Sequence, residues 1–138
     1  MPFFNGFYLY CASKVTGPDR RDCMKKELGR RGENIAAQYL TAQGYKVIAR
    51  NYHTRFGELD LICSKGKDIV FVEVKTRTNL KFGYPEEAIT YKKIEHLKKA
   101  AFIYLNNRKH SFAQMHFDVI TILLTDGQEK INHIKDAF

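Results

Sequence analysis

The stretch from Gly57 to Arg77 constrains the fold of this chain more than any other. Two apolar-rich runs, Glu58–Cys63 and Ile69–Thr76, flank a short polar break that contains a glycine. β-Branched and aromatic residues crowd the second run, so the pattern predicts a β-hairpin. A two-residue Gly66-Lys67 turn of type II′ and a four-residue loop from Lys65 to Asp68 both give the same strand register.

In that register, two carboxylates face each other across the hairpin. Asp60 lies directly opposite Glu73, and Lys75 shares their face of the sheet because strand side chains alternate. Like charges at opposite positions are destabilising, since their Cβ atoms lie about 4.5–5.5 Å apart. Mg²⁺ takes oxygen ligands and would remove this repulsion. The pattern Asp…Glu-x-Lys therefore predicts a metal site with an adjacent ammonium group.

A solvated strand face is the alternative interpretation of these charges, because Glu-x-Lys alone is a common pattern. The remaining positions of that face are apolar, namely Ile62, Ile69 and Phe71. The opposite face of the second strand is filled by Val70, Val72 and Val74. A strand that is apolar on both faces is buried on both, and charges inside it need a reason. The site interpretation is therefore favoured.

The composition describes one basic, folded domain. Its 138 residues are 44% hydrophobic and 13% aromatic, which excludes a disordered chain. The net charge is +8 at pH 7, which favours nucleic acid as a partner ahead of an anionic membrane surface. The basic residues recur in pairs, at Arg20-Arg21, Lys25-Lys26, Arg30-Arg31, Lys92-Lys93 and Lys98-Lys99. This distribution indicates a folded basic surface, although ordinary solubility charge remains the alternative for any single pair.

The cysteines and the hydropathy bear on location. Cys11, Cys23 and Cys63 form no C-x-x-C pair, so they indicate neither a disulfide framework nor a zinc site and fit a reducing compartment. No apolar run approaches the length of a transmembrane helix. We therefore expect a cytoplasmic protein without a membrane partner.

The first 23 residues differ from the rest of the chain. Their apolar start lacks the basic segment of a secretory signal, and Thr16-Gly17-Pro18-Asp19 breaks any continuing element. Met24 stands just before the first well-patterned helix, so a start-codon artefact is one explanation. We interpret residues 1–23 as a poorly ordered extension and residues 24–138 as a single domain.

The remaining pattern predicts the order α-β-β-β-α-β, followed by a short edge strand. Outside the hairpin, the expected elements are a helix from Leu28 to Gln43, a strand at Val47–Tyr52, a helix opening at Glu86-Glu87 and running to about Asn107, a strand from His116 to Leu124, and an edge strand at Ile131–Ile134. Glu33 lies on or beside the inward face of the first helix, and a first-turn acid favoured by the helix dipole is an equal alternative.

Two further sets of polar residues are open to more than one interpretation. Asp118 could join the site, but a structural hydrogen bond to a helix or hairpin backbone is favoured. The five histidines show no H-x-x-x-H spacing, so we expect them on the surface or at strand ends.

With Glu33, Asp60, Glu73 and Lys75 in this order, the sequence resembles the PD-(D/E)xK nuclease superfamily. More narrowly, the segments GRRGENIAAQYL, GELDLI, FVEVKTR and FDVI resemble the YraN family of small bacterial proteins, which is similar to archaeal Holliday-junction resolvases. The similarity runs from about residue 28 to residue 124. It implies an α/β, restriction-endonuclease-like core with a mixed central sheet flanked by helices.

The resemblance implies a catalytic role for each matching residue. Asp60 and Glu73, together with the backbone carbonyl of Val74, would hold Mg²⁺ or Mn²⁺. Lys75 would orient or help to deprotonate the attacking water and stabilise charge at the scissile phosphate. Glu33 would bind a second metal or hold a metal-bound water.

The resemblance is less specific about nucleic-acid contacts. It implies phosphate contacts for Arg50, Arg77 and Lys93. His116 stands where an Arg often precedes the FDV segment, which leaves the role of that position open.

From these residues we expect a metal-dependent endonuclease, an endodeoxyribonuclease-like phosphodiesterase. Nothing in the sequence indicates base readout, so nucleic-acid structure rather than sequence would direct it, and DNA is favoured over RNA. The alternative is a nucleic-acid-binding protein of nuclease-like fold that cleaves nothing. Because the similar resolvases are dimers, a homodimer is a further hypothesis by analogy.

Overall fold

A computed structural model describes residues 17–79, 89–108 and 111–138 as two helices and a five-stranded sheet. The elements are α1 (Pro18–Ala42), β1 (Lys46–Thr54), β2 (Gly57–Lys65), β3 (Asp68–Arg77), α2 (Tyr91–Asn106), β4 (Met115–Thr125) and β5 (Gln128–Ile134). The strands lie side by side in chain order. Of the described strand pairs, β3–β4 is parallel and the others are antiparallel. The predicted α/β fold with a mixed sheet is therefore confirmed.

The β2–β3 hairpin has the predicted register. Lys65 pairs with Asp68, so the connection is the two-residue Gly66-Lys67 turn rather than the four-residue loop. The glycine of this turn has φ 59°, as the first central position of a type II′ turn requires. Ile62 pairs with Phe71. The turn chemistry thus sets which side chains of the two strands face each other.

The two helices cover opposite faces of the sheet. The buried cluster on the α1 side includes Ala36, Leu40, Leu61, Cys63, Val70, Val72, Ile120 and Ile122. The buried cluster on the α2 side includes Leu59, Ile62, Ile69, Phe71, Leu97, Ala101, Tyr104 and Phe117. Alternate residues of β3 therefore enter different clusters. This strand is buried on both faces, as its apolar pattern predicts.

Helix α1 approaches β3 very closely at Gly32. A Cβ atom at this position would overlap the side-chain hydroxyl of Thr76, which is itself buried. Only glycine leaves room for this approach. The contact fixes the turn of α1 that carries the next residue, Glu33, against the central strand.

Both helices begin at residues other than those predicted. Helix α1 begins at Pro18, a residue suited to a first turn, and so crosses the predicted boundary between residues 23 and 24. Helix α2 begins at Tyr91 rather than at Glu86-Glu87, because Thr90 is extended and its side chain accepts a hydrogen bond from the Lys93 amide at 3.2 Å. Residues 1–16, 80–88 and 109–110 lie outside the described residues. Because residues 1–16 make up most of the proposed extension, the extension stays a prediction.

The cysteines differ from one another. Cys63 is a free, buried thiol, and burial raises its pKa to about 12, so it acts as a small apolar side chain. Cys23 takes part in a disulfide, which corrects the interpretation of reduced thiols, because pairing depends on spatial approach and not on sequence spacing. No described helix is both long enough and apolar enough to cross a membrane.

Candidate active site

Asp60 and Glu73 come together where β2 and β3 separate. The last backbone pair between these strands is Leu61 with Val72, although both strands continue beyond it. Past this pair, the backbone N–H of Val74 donates a hydrogen bond to Oδ2 of Asp60 at 2.9 Å. The separation therefore turns the Asp60 carboxylate towards the centre of β3.

The alternation of side chains is irregular on both sides of Asp60. Leu59 packs with Ile62 in the α2-side cluster, while Leu61 enters the α1-side cluster. At this point a small pocket is lined by Asp60 and Glu73 together with Leu59, Phe71, Val72, Leu97, Phe117 and Phe138. The two acids thus lie in an otherwise apolar lining, where charges interact more strongly than in water.

The two oxygens of Glu73 have different surroundings. Glu73 is 4% exposed. Its Oε1 lies 3.2 Å from Nζ of Lys75 and 3.6 Å from Nζ of Lys93, which reaches it from the first turn of α2. Its Oε2 is buried without a hydrogen-bond partner in the described structure. A buried carboxylate oxygen without a partner is costly, so this atom marks a place where a ligand would be stabilising.

Burial, followed by the negative charge of Glu73, raises the pKa of Asp60 to about 8, and the Val74 amide opposes this shift. Without a cation, burial and mutual repulsion therefore favour a proton on the pair, and such a proton would allow a hydrogen bond that two ionised carboxylates could not form. A divalent cation would balance the same charges, and the oxygen donors fit Mg²⁺, which binds through one or two carboxylates.

Glu33 lies beside this pair but is not joined to it. Burial raises the pKa of Glu33, a hydrogen bond with Asn51 lowers it, and the charge of Glu73 is a smaller raising effect. Asn51 has φ 50°, a left-handed conformation that Asn tolerates. Its contact with Glu33 had no clear signal in the sequence. Within the described ranges, no three His, Cys, Asp or Glu side chains converge to hold a metal ion, so the metal role of Glu33 stays a prediction.

The residues expected to contact phosphates are placed differently. Lys93 lies at the carboxylate pair, as given above. Arg50 donates a hydrogen bond from Nη2 to Oδ1 of Asn34 at 2.6 Å and lies near Glu33. Arg77 donates from Nη1 to the backbone carbonyl of Thr76 at 3.0 Å. The structure therefore brings only Lys93 of these three into direct contact with Glu73.

A second buried polar cluster lies on the α1 side of the sheet. Asp118 Oδ2 lies 2.7 Å from Nε2 of His133, and its Oδ1 accepts a hydrogen bond from the Asp136 amide at 3.0 Å. The other ring nitrogen of His133 lies 3.4 Å from the Tyr39 hydroxyl. Asp118 thus makes structural hydrogen bonds, which is the role that the sequence pattern favoured. His133 lies at the end of β5, which is one of the two predicted placements, but its side chain is only 4% exposed, because the β4–β5 pairing places it opposite Ile120.

His116 belongs to the edge of this second cluster. Its Nε2 lies 3.0 Å from Asp68 Oδ2 and its Nδ1 lies 2.6 Å from Asp136 Oδ1. These hydrogen bonds, with Asp68 first, raise the pKa of His116. The residue therefore joins β4 to the start of β3 and to the chain after β5, away from the Asp60–Glu73 pair.

The fold and the buried acid pair define an α/β protein consistent with a restriction-endonuclease-like core. Residues 32–122 match the family described as "Uncharacterised protein family UPF0102". The chain is 57% identical over 115 residues to the UPF0102 protein of Syntrophomonas wolfei, covering 83% of this chain and 100% of that relative. It is 41% identical to the UPF0102 protein of Dictyoglomus turgidum, covering 82% and 98%. It is 45% identical to that of Caldicellulosiruptor saccharolyticus, covering 83% and 98%.

The chain therefore belongs to the UPF0102 family, the YraN family that its segments resemble. The family description names no activity, so the chemistry of the site has to be argued from the residues.

Proposed function

We propose that this protein is a metal-dependent endonuclease that hydrolyses phosphodiester bonds in nucleic acid, with DNA favoured over RNA. The observation that carries the proposal is the buried Asp60–Glu73 pair, which leaves Oε2 of Glu73 without a partner and lies beside the Lys75 ammonium. Acids in a purely structural pair would each be matched to a hydrogen-bond donor. Here two acids face each other and Oε2 of Glu73 has no donor, an arrangement that suits an oxygen-binding cation.

Each residue of the pair has a role in this proposal. Asp60 and Glu73 would hold Mg²⁺ or Mn²⁺, with the Val74 carbonyl as a further ligand. Such an ion supplies Lewis-acid stabilisation of the phosphate and activates water. Lys75 orients the attacking water and adds positive charge where the transition state gains negative charge. Glu33, which lies near enough to be influenced by Glu73, would hold a second ion or a metal-bound water.

Lys93 is a second cation at Glu73 and is carried by α2. It contacts the same Glu73 oxygen as Lys75 but is more exposed, with 37% of its side chain accessible against 23%. A phosphate entering the cleft would meet Lys93 first. We therefore assign Lys93 to substrate binding and Lys75 to the chemical step.

The charge of the whole chain supports a nucleic-acid substrate. The net charge of +8 would give affinity for the phosphate backbone that does not depend on sequence and falls with salt. Branched or single-stranded structure rather than base sequence would then decide where the enzyme cuts.

A cleavage assay with matched variants tests the proposal. Labelled branched DNA, RNA and plasmid are incubated with the protein in Mg²⁺, Mn²⁺ or chelator. We expect cleavage of DNA that depends on the metal and that falls on the order of 100-fold or more in Asp60→Asn and Lys75→Met. The control is Lys130→Met, an exposed lysine on β5, which should cleave at the wild-type rate.

Two other results would count against the proposal. Cleavage at the wild-type rate in Asp60→Asn would place the activity elsewhere or in a contaminant. Nucleic-acid binding without cleavage on any substrate and with either metal would favour the non-catalytic binding protein.

A further inference from the structure

A second, larger pocket lies at the other end of the α2 face of the sheet. It is bounded by the β2–β3 turn, the start of β1 and the chain that follows α2, and its volume is about 620 Å³. Small-ligand pockets typically have volumes of roughly 300–1,000 Å³. The side chains that matter for its chemistry are Lys46, Lys67, Arg108, Ser64, Ser111 and Phe112.

The charged residues of this pocket are basic. Lys46, Lys67 and Arg108 line it, and none of its described lining residues is acidic. None of the ion pairs within the described part of the chain involves these three cations. The guanidinium of Arg108 lies 4.8 Å from the centre of the Tyr104 ring, which holds it in place. Three converging cations with two nearby hydroxyls form a suitable site for an anion.

The walls of the pocket are held together by the backbone. The carbonyl of Lys67 accepts a hydrogen bond from the Ala113 amide at 2.8 Å, and the carbonyl of Gln114 accepts one from the Ile69 amide at 3.0 Å. These bonds attach the chain that follows α2 to the β2–β3 turn. The pocket is therefore formed before any ligand enters, which lowers the cost of binding.

One wall of the pocket is apolar. Phe112 and Ile48 are only partly buried against the α2-side cluster, and both also line the pocket. An aromatic ring beside cations provides a surface for a nucleic-acid base next to one for its phosphate, because bases stack on aromatic side chains. We propose that this pocket binds the phosphate of a nucleotide, presented either by a free mononucleotide or by a nucleic-acid strand, with the base against Phe112.

The pocket is separate from the Asp60–Glu73 pair. Seven residues of extended chain separate Gly66 at the pocket from Glu73, roughly 23 Å at about 3.3 Å per residue. Helix α2 has 16 residues, or about 24 Å, and Lys93 lies near its start while Arg108 follows its end. The distance estimated along β3 and the length of α2 therefore agree. Nucleotide binding at the pocket therefore stands whether or not the acid pair cleaves nucleic acid.

Amide chemical shifts of the full chain test this site. Titration with adenosine monophosphate, or with a short oligothymidylate strand, should produce saturable shifts at Gly66, Lys67 and Ser111–Ala113. The double variant Lys46→Glu/Lys67→Glu should weaken this binding by at least about tenfold. The matched double variant Lys26→Glu/Lys130→Glu, with the same charge change outside the pocket, should weaken it by less than about threefold. Asp60→Asn should bind the nucleotide as the wild type does. Nucleotide binding can therefore be judged even if the cleavage assay detects no activity.

Adenosine monophosphate, the oligothymidylate strand and inorganic phosphate together distinguish the possible outcomes. Shifts with both ligands mean that a free nucleotide suffices, and shifts with the strand alone mean that the backbone phosphate is the ligand; both support the site. Phe112→Ala should weaken the monophosphate but not inorganic phosphate. Absence of shifts at the pocket with either ligand, equal loss in both double variants, or inorganic phosphate binding as tightly as the monophosphate would overturn the assignment.

Discussion

Two buried acid clusters lie on opposite faces of the same sheet, and they differ in whether their carboxylate oxygens have hydrogen-bond partners. On the α1 side, both oxygens of Asp118 have partners, His133 and the Asp136 amide. On the α2 side, Glu73 has one oxygen without a partner and faces a second acid, Asp60. Burial does not distinguish them, because Asp118 is 3% exposed and Glu73 is 4% exposed.

The difference lies in the partner. A histidine can donate to a carboxylate, whereas a second carboxylate must keep a proton to do so. Fully satisfied buried networks make a core rigid and specific, and partly satisfied ones are held at a cost in stability. The first cluster therefore stabilises the fold, whereas the second leaves a buried oxygen atom without a partner at a cost in stability.

The largest change in stability is expected when the satisfied Asp118–His133 cluster is disrupted. Asp118→Ala would remove the partner of the buried Nε2 of His133 and that of the Asp136 amide, and we expect a loss of about 3–5 kcal/mol in the free energy of unfolding. Denaturant unfolding measures this directly. Asp118→Asn is the control, because the amide can still accept one hydrogen bond and should cost less. A loss below about 1 kcal/mol in the alanine variant would remove the contrast between the clusters.

A gain in the free energy of unfolding, rather than a loss, is expected when the unsatisfied Asp60–Glu73 cluster is changed. Asp60→Asn removes one of two facing acids and keeps an oxygen for the Val74 amide, so in chelator it should stabilise the fold by on the order of 1–3 kcal/mol. The same variant should lose any rise in melting temperature that Mg²⁺ gives the wild type. Thermal unfolding with and without Mg²⁺ tests both statements. Destabilisation in chelator would show that the pair supports the fold.

Gly32→Ala tests how closely α1 must approach the unsatisfied cluster. The new methyl group would overlap the Thr76 side chain, so we expect a loss of about 1–3 kcal/mol from overpacking. Gly29→Ala is the matched control three residues earlier in the same helix. Nothing lies near a Cβ at that position, so it should stabilise the helix by roughly 0.5–1 kcal/mol. Equal effects of the two variants would contradict the close approach.

The smallest effect is expected at His116, at the solvent side of the satisfied cluster. Its pKa is raised above the ordinary value of 6.5 by Asp68 and Asp136. The stability it contributes is therefore fully present below pH 6.5 and is lost as the pH rises through the higher folded-state pKa. His116→Gln should destabilise more in the acidic window than in the basic one, by less than about 1 kcal/mol because the ring is partly exposed. A cost independent of pH, measured by unfolding across the range, would contradict this.

The hairpin could be predicted from sequence because its determinants are local. Gly66 supplies the positive φ of the turn, the turn sets the register, and the register places Asp60 near Glu73. The alternating apolar residues then indicate that both acids are buried. Neither the end of the β2–β3 pairing at Leu61 nor the raised pKa of Asp60 follows from the pattern, because both depend on how the packed strands diverge.

The features that sequence missed are long-range. His133 is buried because β5 brings it to Asp118 and Tyr39, and no short pattern encodes that meeting. Helix α2 begins after the Thr90 cap, whereas the start predicted at Glu86-Glu87 lies outside the described residues. The role of Gly32 depends on the approach of α1 to Thr76, which is a property of the packed molecule.

The parallel pairing of β3 with β4 has a kinetic consequence. A hairpin forms within microseconds, but β4 reaches β3 only after the chain has crossed over through α2, so this pairing is a late event in folding. Leu97 and Phe117, which help to enclose the two acids, arrive with that event. The cost of burying the two facing acids therefore arises after the transition state, and we expect Asp60→Asn to slow unfolding while leaving the refolding rate nearly unchanged in a chevron plot.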